Sequence, residues 1–394
     1  MREGGREGMN RTVAVAVALL LIAGTALPCL SAAPKELAKE RPVGKIEPVA
    51  FFYGPMPTGV TVSCTGRMFV NFPKWGDNIA YTVAEVRKGK IVPYPDQKMN
   101  TCEKGNQKDC FVSVQSVVID PKDRLWVLDT GSVAFGPTSF GGPKIVGIDL
   151  ATNKVFKTII FPEDIALKNT YLNDVRFDLR KGTEGMAFIT DSGGNAIIVV
   201  DLASGKSWRR LVDHETTKPV PGMLAIVEGR PLLLYIPNQK PVPLQVGADG
   251  IAISSDGSRL YYSPLTSRHL YSVSVDALID QSLPDGKVAE TVKDHGCKGG
   301  ASDGLESDAK GRVYLTDYEH NAIHRMLPDG TFETIAHDSR MLWPDTLSVA
   351  YDGYLYFTAN QIERQAVHWE GKDTRQKPYT VFRIKIDAEP VALK

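Results

Sequence analysis

Residues 301–326, ASDGLESDAKGRVYLTDYEHNAIHRM, hold three short alternating runs separated by polar turns. An Asp-Gly pair opens the stretch, and Leu305 and Ser307 alternate behind it. A Lys-Gly turn, the pair Val313 and Leu315, an acidic turn and Ala322-Ile323-His324 follow. Alternation at period two puts one set of side chains on each face of a pleated strand, and turns this short join antiparallel neighbours. The segment therefore predicts a meander of antiparallel sheet, with Asp303 standing in front of its first strand.

The same pattern returns along the chain. ADGIAISSDGSRLYYSPL (248–265) and PDTLSVAYDGYLYFTAN (344–360) repeat it from Asp249 and Asp345. LNDVRFDLRKGTEGMAFITDSG (172–193), QSVVIDPKDRLWVLDTG (115–131) and PTGVTVSCTGRMFVNF (57–72) repeat it from Asn173, Ser116 and Thr58. The leading residues 58, 116, 173, 249, 303 and 345 are 58, 57, 76, 54 and 42 apart, close to the period of propeller blades. Segments such as IVGIDLATNKVFKTIIF and NAIIVVDLASGKSWRRLV supply third and fourth strands. A lone four-stranded sheet exposes an apolar face and two edges, whereas a ring of six covers the faces. The expectation is an all-β, six-bladed propeller of four-stranded antiparallel blades, with YTVFRIKID (379–387) pairing with N-terminal strands to close the circle. In that ring Thr58, Ser116, Asn173, Asp249, Asp303 and Asp345 line the mouth of a central channel. A sandwich with coincidental turns would use the same residues only as turn formers.

Composition narrows the partners. Lys+Arg and Asp+Glu each number 46 in 394 residues, so no basic field points to nucleic acid. Near the N-terminus Arg11, an apolar run from Val13 to Ala23 and Ser31-Ala32-Ala33 have the three parts of a secretory signal. Residues 1–33 are thus expected to be a cleaved leader, residues 34–394 one propeller domain, and the protein secreted or periplasmic without a membrane span. Of the cysteines beyond the leader, Cys102 and Cys110 flank a short polar loop and form the easiest disulfide, while Cys64 and Cys297 lie far apart.

RLWVLDTG (124–131), YLNDVRFD (171–178), ITDSGGNAIIVVDLASGKSWR (189–209), DGIAISSDGSRLYYSPLTSRHLYSV (249–273) and LYFTANQ (355–361) occur in an order that resembles the major royal jelly and yellow family. The resemblance spans about residues 45 to 387 and implies a secreted six-bladed propeller. It implies a range of activities: dopachrome conversion, amine binding or nutrition. It also implies that Asn360, in LYFTANQ, faces amine ligands. A more distant resemblance, carried by LNDV at 172–175 and by Asp-Gly at 249–250 and 303–304, is to the SMP-30/gluconolactonase group. There a divalent ion held by oxygen ligands works with a carboxylate in lactone opening.

Two chemistries follow for the ring. Asn173, Asp249 and Asp303 are an oxygen set suited to calcium or another hard divalent cation, although that group uses a first-blade Glu where this chain has Thr58. Alternatively, an ammonium group sits against Asp249, Asp303 or Asp345, and one of these carboxyls moves a proton during isomerisation. Without a cation, converging carboxylates repel and at least one pKa rises. Whether the chain is an enzyme stays open. The readings are an amine-binding, isomerising propeller, a metal-dependent lactonase or a non-catalytic extracellular scaffold. DSGGNA lacks the G-x-S-x-G nucleophile elbow, so Ser192 is a turn residue. His320 and His324 do not make the HExxH pair and are expected on a turn and an exposed strand position. Residues 135–147 have glycines without a following Lys-Ser/Thr, and are expected to be a loop over the channel mouth.

Overall fold

The computed structural model describes residues 40–103 and 105–394; the expected leader, 1–33, lies outside the described residues. The opening stretch forms strands Leu305–Ser307, Val313–Asp317 and Ala322–Met326, joined by Phe332–His337 into one antiparallel sheet. This is one of six four-stranded sheets. Their first strands are Val60–Val62, Val114–Ile119, Leu172–Asp178, Ala248–Ile253, Leu305–Ser307 and Pro344–Val349, and they head blades 1 to 6 in that order. Each first strand touches the next, and the sixth touches the first, so the sheets close into a propeller around one axis. As expected, Tyr379–Lys385 pairs with Ile46–Phe52, which becomes the outer strand of blade 6 and ties the chain's two ends together.

The core lies between blades, where faces rich in Val, Ile and Leu meet. Blades 3 and 4, for example, bury Phe188, Val199, Ile251, Leu260 and Val273 against one another. Each such side chain contributes about 1.5–3 kcal/mol on burial, which is why six sheets with little cross-blade hydrogen bonding hold as a ring. The long spacing between Asn173 and Asp249 has a structural cause. Between blades 3 and 4 the chain makes two small hairpins, Ile226–Val227 with Arg230–Pro231 and Leu233–Leu234 with Val242–Pro243. This insert packs Met223, Ala225, Val227 and Leu232 into an apolar cluster with Met56, Phe72, Tyr318, Trp343 and Tyr379, from blades far around the ring. Cys102 and Cys110 form a disulfide, and Cys64 and Cys297 are free and exposed. Among the described residues no helix is long and apolar enough to cross a membrane.

Candidate functional site

The ring residues are aimed by a repeated defect in the sheets. Pairing of the first two strands slips between Val114 and Ser116, Leu172 and Val175, Ala248 and Gly250, and Pro344 and Leu347. These bulges leave Gln115, Asn173, Asp174, Asp249, Asp345 and Thr346 off the ladder, and a bulge turns its side chains away from the regular alternation. Threonines of the second strands catch the freed backbone groups. Asp174, Asp303 and Thr346 donate their N–H to the hydroxyls of Thr190 (3.3 Å), Thr316 (2.9 Å) and Thr358 (3.1 Å). Thr190 and Thr358 pass their own protons to the carbonyls of Asp249 and Thr58 in the next blade. The glycine after the acid has its own reason. A Cβ on Gly250 would stand 2.2 Å from the carbonyl oxygen of Asp303, and one on Gly304 2.2 Å from that of Asp345. Asp-Gly therefore lets the acid end of one blade abut the next.

The result is a small cavity on the axis, lined by Gln115, Ser116, Asn173, Asp174, Asp249, Asp303, Asp345 and Thr346. Its volume of about 10 Å3 suits one water-sized group. Asn173 Nδ2 donates to Asp249 Oδ2 at 2.6 Å, Trp343 Nε1 to Asp303 Oδ2 at 2.7 Å, and Asn360 Nδ2 to Asp345 Oδ2 at 2.6 Å. Asp249 and Asp303 lie within hydrogen-bonding reach of each other. Burial, then the neighbouring Asp303, pushes the Asp249 and Asp345 carboxyls well above the carboxylate range. Burial pushes Asp303 up to about 6, against the pull of Trp343 and Asp249. Among the described residues no Lys or Arg pairs with any of the three. Desolvated carboxylates this close resist being charged together, which favours the protonated form of at least one of them.

Ser116, Asn173, Asp249, Asp303 and Asp345 thus converge as expected from their places in the repeat. Asn360 reaches the same set through Asp345, and its own Oδ1 is buried without a hydrogen-bond partner. Thr58 does not join them. It is fully buried, accepts from Asn71 Nδ2 at 2.8 Å and points its hydroxyl at the Gln115 carbonyl, so Gln115 takes the blade 1 side of the cavity. Among the described residues no group of three His, Cys, Asp or Glu meets the geometry of a metal site, and blade 1 brings no carboxylate, while Asn173 donates its amide N–H to Asp249 and keeps Oδ1 as an oxygen donor. Hard divalent cations need several charged or carbonyl oxygens.

Two smaller expectations are corrected and one is extended. His324 is not an exposed strand residue: its Nε2 meets Asp317 Oδ2 at 2.9 Å, and His320 Nδ1 meets the same oxygen at 2.8 Å. Ser192 lies on a turn as expected, and its hydroxyl also lies 3.3 Å from Asn173 Nδ2. Residues 143–147 begin a blade 2 strand, leaving only the part before them as a loop. There Phe135, 63% exposed, packs on Trp75 and Tyr171 with ring centroids 5.0 Å away in each case. Tyr171 carries this aromatic rim to the cavity, donating to Gln115 Oε1 at 3.0 Å while accepting from Trp75 Nε1 at 2.7 Å.

Sequence reasoning missed Asp174 and Arg176, although both stand in LNDVRFD. Asp174 accepts from Ser116 Oγ at 2.7 Å and from Arg176 Nη1 at 2.9 Å, so among the described residues it is the one wall carboxylate with a cation. A period-two reading from Asn173 assigns Asp174 to the opposite face, and the bulge overturns that. The threonine latches had a visible signal, the recurring second-strand words FITD, YLTD and YFTA.

Comparison with known proteins agrees with the propeller fold. The chain is similar to a solved structure described as a gluconolactonase (11% identical, covering 88% of this chain and 94% of that chain, TM-score 0.53) and to a luciferin-regenerating enzyme (12%, 90% and 100%, TM-score 0.52). At such identities these show the fold alone. Protein yellow from Drosophila erecta and from Drosophila melanogaster are each 30% identical over 254 residues, 60% of this chain. The chain matches 44% of the length of each of these relatives. The pattern that defines the family described as "Major royal jelly protein" covers residues 112–389, from just before the first strand of blade 2 to just past the closing strand. With most of the ring inside that match, this chain belongs to the major royal jelly protein family.

Proposed function

We propose that this protein is a secreted propeller that binds a small amine-bearing molecule at the acid end of its channel and isomerises it in the manner of dopachrome conversion. One observation carries the reading: three buried carboxyl groups share a cavity without a basic partner among the described residues. An ammonium group has about the size of a water molecule and fills that electrostatic deficit. The cavity admits the ammonium and not a ring, so the ring of a catechol or indole amine rests outside, where Trp75, Phe135 and Tyr171 offer stacking faces. Isomerisation requires a proton removed at one carbon and delivered at another. Asp249 and Asp303, with one proton between them, supply a donor and an acceptor for that exchange at the carbons next to the ammonium, which stand at the cavity mouth.

Calorimetric titration with dopamine, tryptamine and related amines tests the binding. Affinity is expected to rise as pH passes through about 6, where Asp303 ionises, and to fall at least tenfold in Asp303→Asn. Silence across the panel at both pH 5 and pH 7.5, with folded protein, sinks the reading. Binding without turnover of dopachrome removes the isomerase part alone.

A further inference from the structure

The channel has a second chamber at its opposite end, with a volume of about 70 Å3. Val62, Val117, Ile253, Leu347 and Val349 are among the apolar residues that make up the larger part of its wall. Pro390 and Val391 close it from below. They belong to a strap that crosses the propeller, its Glu389 carbonyl accepting from Ala309 N at 2.9 Å and its Leu393 carbonyl from Leu179 N at 2.8 Å. The polar residues of the wall include Arg176, 5% exposed, with Glu306 beside it, and Asp120, whose carboxylate already accepts from Arg124 and Trp126. Arg176 Nη1 binds Asp174 Oδ2 (2.9 Å) and the Val175 carbonyl (2.8 Å), and Nη2 binds the Leu305 carbonyl (2.7 Å) and lies 3.4 Å from Glu306 Oε2. Its Nε is buried with no hydrogen-bond partner.

A buried donor without an acceptor is costly, and a largely apolar chamber whose wall carries such a donor is shaped for a matching ligand. The charge of Arg176 is already met by Asp174, and burial raises the Glu306 carboxyl toward its neutral form. The vacant donor therefore calls for an oxygen and not for a second anion. We propose that this chamber is a second binding site, for a small, uncharged, largely apolar molecule whose carbonyl-type oxygen accepts from Arg176 Nε. The site is independent of amine binding at the acid end.

Matched five-membered-ring probes separate the possibilities: cyclopentanone, cyclopentanecarboxylate and cyclopentylamine, titrated into the full chain and followed by ligand-observed NMR. Cyclopentanone is expected to bind saturably and at least tenfold more tightly at this end than the charged analogues. Arg176→Met should weaken it roughly 10- to 100-fold, the range for a hydrogen bond to a charged group. Because Arg176→Met removes the partner of Asp174, two filling variants act as independent checks. Leu347→Trp narrows the chamber from a blade and Val391→Trp from the strap, and either should abolish ketone binding. Asp345→Asn should leave it unchanged. No saturable ketone binding, or binding that survives both filling variants, overturns the proposal and leaves a chamber that holds water only. Ketone binding without amine binding would sink the function proposed for the acid end and leave this site standing.

Discussion

The two ends of the channel are built by the same six strands and treat charge in opposite ways. At the acid end Asp249, Asp303 and Asp345 are buried without a basic partner among the described residues, and burial raises all three above the usual carboxylate range. Two positions along a single strand, Arg176 points toward the other end and is matched by Asp174 at 2.9 Å. There Asp174 and Glu306 outweigh the burial that would lower the guanidinium, and its pKa rises. A buried ion pair is permanent, because neither member can leave without stranding the other. A proton shared among carboxyls is exchangeable, because solvent, a cation or an ammonium can take its place. The acid end is thus the part of the axis free to trade one positive charge for another.

The largest test of that contrast is Arg176→Met. It strands a buried Asp174 and should cost about 3–5 kcal/mol in chemical denaturation. Adding Asp174→Asn should return part of that loss. A double variant as unstable as the single would show that the pair does not balance charge as described.

Next in size is the pH dependence of the ligand-free protein. Asp303 has a folded pKa of about 6, above its unfolded value. Between about pH 4 and 6 the folded state therefore holds more protons than the unfolded one, and stability falls as pH rises. The loss from this group is on the order of 3 kcal/mol and is complete above about pH 6. Paired carboxylates such as Asp317 and Glu319 have lowered pKa values, so their contribution has the opposite sign. The discriminating quantity is the difference between wild type and Asp303→Asn from pH 4 to 7. It should shift steadily in favour of the variant, and a flat difference would mean that Asp303 is not proton-loaded.

The smallest effect is expected from Thr358→Val, which removes the latch between the blade 6 bulge and the Thr58 carbonyl. A cost of about 1–2 kcal/mol is expected, with amine affinity weakened through a looser Asp345 and ketone binding at the far end unchanged. Equal weakening at both ends would erase the independence of the two chambers.

Much of this was legible along the chain. Asp-Gly turns and period-two runs marked the blades, and the leading positions named five of the polar groups around the axis. Thr58 fell outside because its neighbours Asn71 and Gln115 offered its hydroxyl closer partners. Asp174 and Arg176 were hidden by the bulge between Leu172 and Val175, which shifts the register that alternation assumes.

Alternation and turn chemistry are local, so a sequence read in short windows specifies strands, their order and the residue that heads each one. Which of those residues share a proton, which find a counter-ion and which donor is left over depend on groups up to 129 positions apart, as Arg176 and the Leu305 carbonyl are. Those relations come into being only when the ring closes and expels water. Desolvation and bulge geometry then set the charge of each side chain, and neither is encoded in its immediate neighbours.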